Sequence, residues 1–490
     1  MSDAVVVRGG TLVRPDRPLE VADLAIEDGR IRDVGRNLPA GAREVDARGS
    51  FVVAGLVDAH THSGHALAPT LGDNMALEEW MLENVYLVPP LDGEEAYAAA
   101  LLTAGRLAAA GTVALLDHGP PLGADNWSET IEATMSAYAD AGVRATVAPV
   151  IADRYLWESL SGDASDGVRE AVAEQPFPPL HEHQTLVDRA RAFLDRWHGR
   201  DANISVLLGP SAPERLSDQL LSGLASLGRE RGVGFHLHLF ESALQRAARG
   251  AAGAVDRLRR LGVLGPGSSV AHCVWVTQEE IAAIASSGTT VVHNPISNLR
   301  TGTGLAPLRA LRGSGASLAL GSDGAVVNEG LDMFSAMKVA ALVHKLSGSL
   351  DDAPSAAFVL EACQHGGARA CGLGRCTLDR GDRADIVVVD GQNLAGREHA
   401  QLLNELVYGA SGREVVTVLV GGRTVVENGV PTAPGWSETQ RWALKRRAER
   451  ARVAARGQRS RLADALREMA AAARAQRGAG AILDPLGGHR

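Results

Sequence analysis

Cysteine is scarce in this 490-residue chain: Cys273, Cys363, Cys371 and Cys376 are all there is. Four scattered thiols cannot build a disulfide framework, so they are expected to be reduced and the protein cytoplasmic. Cys371 and Cys376 have no second Cys or His pair at zinc-finger spacing, which argues against a metal clip there. Lysine is rarer still, with Lys338, Lys345 and Lys445 against 46 arginines among the 49 basic residues. That bias reads as genome composition. No run of 18 apolar residues is present and the N-terminus carries no charged-then-apolar leader, so neither a membrane span nor a secretion signal is expected. A net charge of −9 and a pI near 5.9 exclude a basic nucleic-acid surface.

What remains is a hydrophobic content of 45%, enough for one large domain and a smaller one. Short strand-like pieces before residue 50 (Ala4 to Arg8, Thr11 to Val13, Val21 to Glu27, Arg30 to Val34) are matched by Asp385 to Asp390, Val415 to Val420 and Thr424 to Glu427. Strands at both ends of the chain predict one small β-sandwich built from residues 1–50 and 376–432. Between them, apolar strands alternate with helical segments such as Glu94–Ala110, Gln184–His198, Leu216–Arg231 and Gln278–Ser286. The strands are Phe51–Val57, Thr112–Asp117, Arg144–Val150, Ile204–Gly209, Gly234–His238, Ser268–Cys273, Thr289–His293 and Ser317–Gly321. Eight strand–helix units over residues 51–375 predict an α/β (β/α)8 TIM barrel, with its active site at the C-terminal strand ends. Residues 433–490 read as an Arg- and Ala-rich helical extension, a solvated surface helix or an oligomer contact, trailing into a loose tail from Gly478.

The chemistry gathers at the predicted strand ends. His60 and His62 share a face at the end of the first strand, because side chains alternate along a strand. His236, His238 and Glu241 follow on the fifth, His272 on the sixth, His293-Asn294 on the seventh and Asp323 after the eighth. A barrel brings these ends to one mouth, and imidazoles with a carboxylate suit zinc or iron(II). His236 and His238 share a face, so spacing alone leaves the ligand between them open.

The segment Val53-Ala-Gly-Leu-Val-Asp-Ala-His-Thr-His62 resembles the first-strand motif of the amidohydrolase superfamily. His238-Leu-Phe-Glu241, Ala271-His272-Cys273, His293-Asn-Pro-Ile-Ser-Asn298 and Gly321-Ser322-Asp323 resemble its deaminase and chlorohydrolase branch, which holds guanine, cytosine and adenosine-type deaminases and s-triazine hydrolases. The resemblance runs to about residue 430. It implies one divalent metal per chain, Zn2+ with Fe2+ as the alternative, held by His60, His62, His238 and Asp323, and leaves His236 as a structural histidine one layer down. No lysine stands where binuclear relatives carry a carboxylated bridge. Glu241 would shuttle a proton to the leaving group, His272 would polarise water or substrate, and Asp323 would also accept the water proton. The competing reading of Glu241 is a surface acid at a helix start. His293, Asn294 and Asn298 would shape the substrate pocket, and His65, His118 and Trp80 are further candidate substrate contacts.

These residues imply hydrolytic deamination of a small aromatic nitrogen heterocycle by a metal-activated water. The alternative keeps the centre and changes the leaving group to halide, nitro or alkylamine, or opens a cyclic amide. A non-catalytic barrel would predict a broken ligand set, and all four positions are filled. Ser211 stands where adenosine-type deaminases usually carry histidine, which weakens a nucleoside reading. Assembly as a homodimer or homotetramer is expected, with no nucleic-acid or membrane partner.

Overall fold

The structure is a computed structural model describing residues 4–475, apart from 69–72, 87, 160–167, 169, 173–176, 178–179, 347, 393, 395–397 and 455–460. The expected tail from Gly478 lies outside the described residues.

Parallel strands alternating with helices make up the middle of the chain. Ile204–Val206, Arg144–Val147, Thr112–Asp117, Leu56–His62 and Asp323–Gly324 form one parallel sheet in that order. His236–Leu239, Ser269–His272, Thr290–His293 and Ser317–Leu320 form another, and Gly209–Pro210 pairs with Val150–Ile151. Thr112–Asp117 and Ser269–His272 are buried along their whole length, as strands with both faces covered must be. The helices begin where their capping residues stand. Asp92 with Glu95 and Thr277 with Glu280 make capping boxes at Gly93–Ala109 and Gln278–Ser287. Ser217 caps Asp218–Arg231, two residues later than the apolar pattern alone suggests.

Three predicted strands are divided, among them Ile204–Gly209, which splits into Ile204–Val206 and Gly209–Pro210. Phe51–Val57 breaks at Gly55: Phe51–Ala54 belongs to the terminal sheet and Leu56–His62 to the parallel one. A Cβ at Gly55 would lie 2.3 Å from Val113, so only glycine lets the chain cross so closely between the sheets. Arg144–Val150 breaks after Val147 because Pro149 has no N–H to offer a ladder.

Both ends of the chain share one nine-stranded sheet. Its order is Val430–Pro431, Arg423–Glu427, Val415–Val420, Ile386–Val389, Phe51–Ala54, Val5–Arg14, Arg17–Glu27 and Arg30–Gly35, with Arg43–Asp46 also on Val5–Arg14. A buried bidentate pair ties this sheet to the parallel one: Arg144 Nε and Nη2 donate to Asp385 at 2.7 and 2.9 Å.

The C-terminal extension packs one face against the rest of the chain. Helix Arg461–Ala475 buries Leu462, Leu466 and Met469, at i, i+4 and i+7, against Leu82, Trp157 and Leu244. Arg467 donates to Glu79, and Arg446 and Arg450 of helix Trp436–Ala454 donate to Glu95. Both glutamates are buried. The charge density of this segment masks a narrow apolar stripe, which is why it reads as solvated from sequence. Among the described residues no helix is long and apolar enough to cross a membrane.

Candidate metal centre and active site

Four of the predicted residues converge around His60. The candidate ligand atoms of His60, His62 and His238 lie within 4.8 Å of one another, and so do those of His60, His272 and Asp323. Asp323 Oδ1 stands 3.7 Å from His60 Nε2 and 3.6 Å from His62 Nε2, too far for hydrogen bonds. His60 Nε2 is buried without a hydrogen-bond partner among the described residues.

The tautomers follow from the outer partners. His62 Nδ1 donates to the His118 carbonyl at 2.6 Å, and His238 Nδ1 to the Ser211 carbonyl at 2.8 Å. Each Nε2 therefore carries a lone pair, and the two lone pairs face each other 3.2 Å apart. Two bare acceptors at that distance repel unless a cation satisfies both, so this donor set fits a divalent metal. His236 uses both nitrogens on protein, with Nε2 2.8 Å from His60 Nδ1 and Nδ1 2.7 Å from Ser269 Oγ. Burial, first, and the neighbouring imidazoles push His60 and His238 well below the ordinary histidine range, and His236 to about 3. They are neutral at pH 7, the state a ligand requires.

Strained backbone aims His272 and Asp323. His272 has φ 73° and Asp323 φ 62°, in the left-handed region where non-glycine residues cost on the order of 1–3 kcal/mol. Asp323 is then held from both sides, as Ser297 Oγ donates to Oδ2 at 2.6 Å and Gly324 N to Oδ1 at 2.7 Å. Burial works upward on this carboxyl, but His62, His272 and the Ser297 hydroxyl outweigh it and hold Asp323 below the usual range. Glu241 lies opposite. Its Oε1 is 3.5 Å from His272 Nδ1, and burial followed by the charges of Asp323, Glu78 and Glu214 pushes its carboxyl well above the usual range. Ser242 caps the next helix, so Glu241 is a buried acid turned inward and not a helix-start surface residue. Asn298 Nδ2 donates to His272 Nδ1 at 3.0 Å, which puts the imidazole proton on Nε2, 3.8 Å from Asp323 Oδ2.

The remaining candidates divide. His118 donates from Nδ1 to the Ala148 carbonyl at 2.9 Å, and its ring lies 4.8 Å from that of His238. His65 packs edge-on to Trp80 at 5.6 Å and against the backbone at Gly324. His293 turns away, with its Nε2 3.1 Å from His344 Nε2. Asn294 wedges its Oδ1 against Gly321, where a Cβ would come within 2.3 Å, so these two hold each other in place. Four supporting residues escape sequence reasoning: Asp58, Ser269, Ser297 and His344. Asp58 accepts from Ser322 N at 2.9 Å and His60 N at 3.3 Å, fastening the strand ends that carry His60 and Asp323. Its place two residues before His60, on the same strand face, is the signal that could have marked it.

The sequence profile of the amidohydrolase family matches residues 51–425, and the chain belongs to that family. It is a hydrolase acting on carbon–nitrogen bonds other than peptide bonds. The 5′-deoxyadenosine deaminase of Methanosarcina mazei is 30% identical over 436 residues, covering 87% of this chain and 94% of the relative. The 5-methylthioadenosine/S-adenosylhomocysteine deaminase of Nitratidesulfovibrio vulgaris is 32% identical over 426 residues, covering 84% of this chain and 89% of the relative. An adenosine deaminase from Xanthomonas campestris, solved with bound zinc, superimposes with a TM-score of 0.78 at 25% identity, covering 91% of this chain and 98% of that one. The zinc-complexed atrazine chlorohydrolase of Arthrobacter aurescens shares the fold, with a TM-score of 0.76 at 21% identity over 90% of this chain and 100% of that one.

Proposed function

We propose that this protein removes an exocyclic amine hydrolytically from a small aromatic nitrogen heterocycle, using one divalent metal. Adenosine-type nucleosides modified at the 5′ position are the first substrate class. The carrying observation is the pair of carboxyls flanking His272: Glu241 is pushed toward the protonated form and Asp323 toward the ionised one. Two carboxyls driven apart in this way assign the acid and the base.

His60, His62, His238 and Asp323 would hold the ion, with zinc first and iron(II) as the alternative. When bound, the ion supplies Lewis acidity and brings the pKa of a water toward neutrality. Asp323 would accept a proton from the attacking water. His272, donating from Nε2, orients the water or the ring nitrogen at the reacting carbon. Glu241 then gives its proton to the departing amine, which leaves poorly without one. His118, His65, Trp80, Asn298, Asn294 and His293 shape the cavity around the ring, the last two from behind.

Ser211 does not argue against a nucleoside once its part is seen. Its backbone carbonyl orients His238, and its side chain accepts from Arg215 Nη1 at 2.9 Å. Relatives of 30% and 32% identity are named as nucleoside deaminases. The alternative, displacement of halide, nitro or alkylamine or opening of a cyclic amide, uses the same metal. A buried acid beside His272 favours amine release, since halide needs no proton. A coupled assay for ammonia over adenosine-type nucleosides, aminopurines, aminopyrimidines, pterins and triazines tests the reading. Release from one ring class supports it, and a metal-loaded protein that releases none would overturn it.

Residues 55–375 form one (β/α)8 barrel, a reading supported by the Leu208–Phe235 bridge and by Asp323 pairing with Thr61 of the first strand. The terminal sheet folds over as a β-sandwich formed by 1–54 and 376–432, supported by two bulges in Val5–Arg14 and by the Arg30–Arg383 bridge. Exposed Leu342, Leu346 and Leu350 support homo-oligomeric assembly, and four buried free thiols support a cytoplasmic location.

A further inference from the structure

Helix Arg461–Ala475 lies beyond residue 425, where the family match ends. It packs across two short helices that follow directly on the site: Leu77–Met81, after the His62 loop, and Ala243–Ala247, after Glu241. Its buried Ala470 lines a cavity of about 10 Å3 together with Leu77, Glu78, Ser242, Leu244 and Thr303. Three of those residues touch the reacting groups at one remove. Ser242 follows Glu241 and donates to Glu78, and Thr303 accepts from Asn298 Nδ2 at 3.0 Å, the amide that holds His272. A fourth contact latches the helix: Arg467 Nε donates to Glu79 Oε2 at 2.7 Å, and Glu79 is 1% exposed.

We propose that helix Arg461–Ala475 is the outer wall of the substrate cavity and, latched by Arg467 on Glu79, limits how far a substrate extends away from the reacting ring. The inference rests on the deaminase reading and narrows it to compact substrates. The cavity under Ala470 has room for about one water, so a long substituent leaving the ring on this side meets the helix.

The test compares kcat/KM for 5′-deoxyadenosine and S-adenosylhomocysteine, whose 5′ substituents differ in length. Three proteins are used: wild type, Ala470→Leu, and the double variant Glu79→Gln/Arg467→Gln, which removes the latch without leaving a buried carboxylate unpaired. Wild type is expected to favour the shorter substrate at least about tenfold, the scale at which steric pockets discriminate. Ala470→Leu widens that ratio and the double variant narrows it, each by about fivefold or more and mainly through KM. A ratio that neither variant moves would overturn the wall, whatever happens to overall activity. If wild type releases ammonia from neither nucleoside, the nucleoside substrate class fails on its own account. The wall is then judged by EDTA removal of zinc from reconstituted protein, expected about tenfold faster in the double variant. An unchanged rate there also overturns it.

Discussion

His236 Nε2 lies 2.8 Å from His60 Nδ1, so a histidine that matches the ligand pattern by spacing serves instead to orient the most deeply buried ligand candidate. Its own Nδ1 is fixed by Ser269 Oγ at 2.7 Å, which makes a relay from the sixth strand through the fifth to the first. His236→Ala is expected to weaken zinc affinity about 10–100-fold, the usual cost of losing an outer partner. Competition with a chromophoric chelator measures it. Wild-type affinity in a folded variant would remove His236 from the centre.

Glu241→Gln keeps the shape of the acid and removes its proton. Turnover should fall about 10²–10⁴-fold, the contribution of a positioned acid or base, while elemental analysis finds metal unchanged. Near-normal turnover at full metal content would assign the proton to another group.

Burial pushes Glu214 up from its ordinary 4.5 to about 7, with the nearby Glu78 charge adding to the effect. Between those two pH values the unfolded chain ionises this group while the folded protein keeps its proton. Stability therefore falls as pH rises from 4.5 through 7, by up to about 3 kcal/mol from this one carboxyl. Glu214→Gln should gain thermal stability on wild type over that same window. Parallel curves of Tm against pH would contradict it.

Asp385 accepts two bonds from buried Arg144 and a third from Gly421 N at 2.8 Å. Asp385→Ala strands the guanidinium between the two sheets and should cost about 3–5 kcal/mol in denaturant unfolding. A loss under about 1 kcal/mol would mean that the pair is replaceable by water.

The site was legible in sequence because its chemistry obeys short-range rules. His60 and His62 share a face by strand alternation, His238 and His272 stand at strand ends and Asp323 just beyond Ser317–Leu320, so topology brings them together. Glu241 was legible from its place three residues beyond His238, although only the structure shows its carboxyl buried against His272. What escaped is long-range. Asp58 and Ser322 are 264 residues apart, His293 and His344 51 apart, and nothing local announces either contact. The break at Gly55 escaped for a different reason: an apolar run of strand character continues straight through the point where the chain changes sheets. The C-terminal helix misled because its charged face outweighs the stripe of Leu462, Leu466 and Met469 that packs on Leu82 and Leu244.

One metal at His60, His62, His238 and Asp323 is proposed to drive hydrolysis. The most direct measurement follows metal content and ammonia release in the same sample through chelation and zinc readdition. About one zinc per chain is expected, with ammonia release that falls in proportion to the zinc removed and recovers when zinc returns. Release that persists after the metal is gone would contradict it.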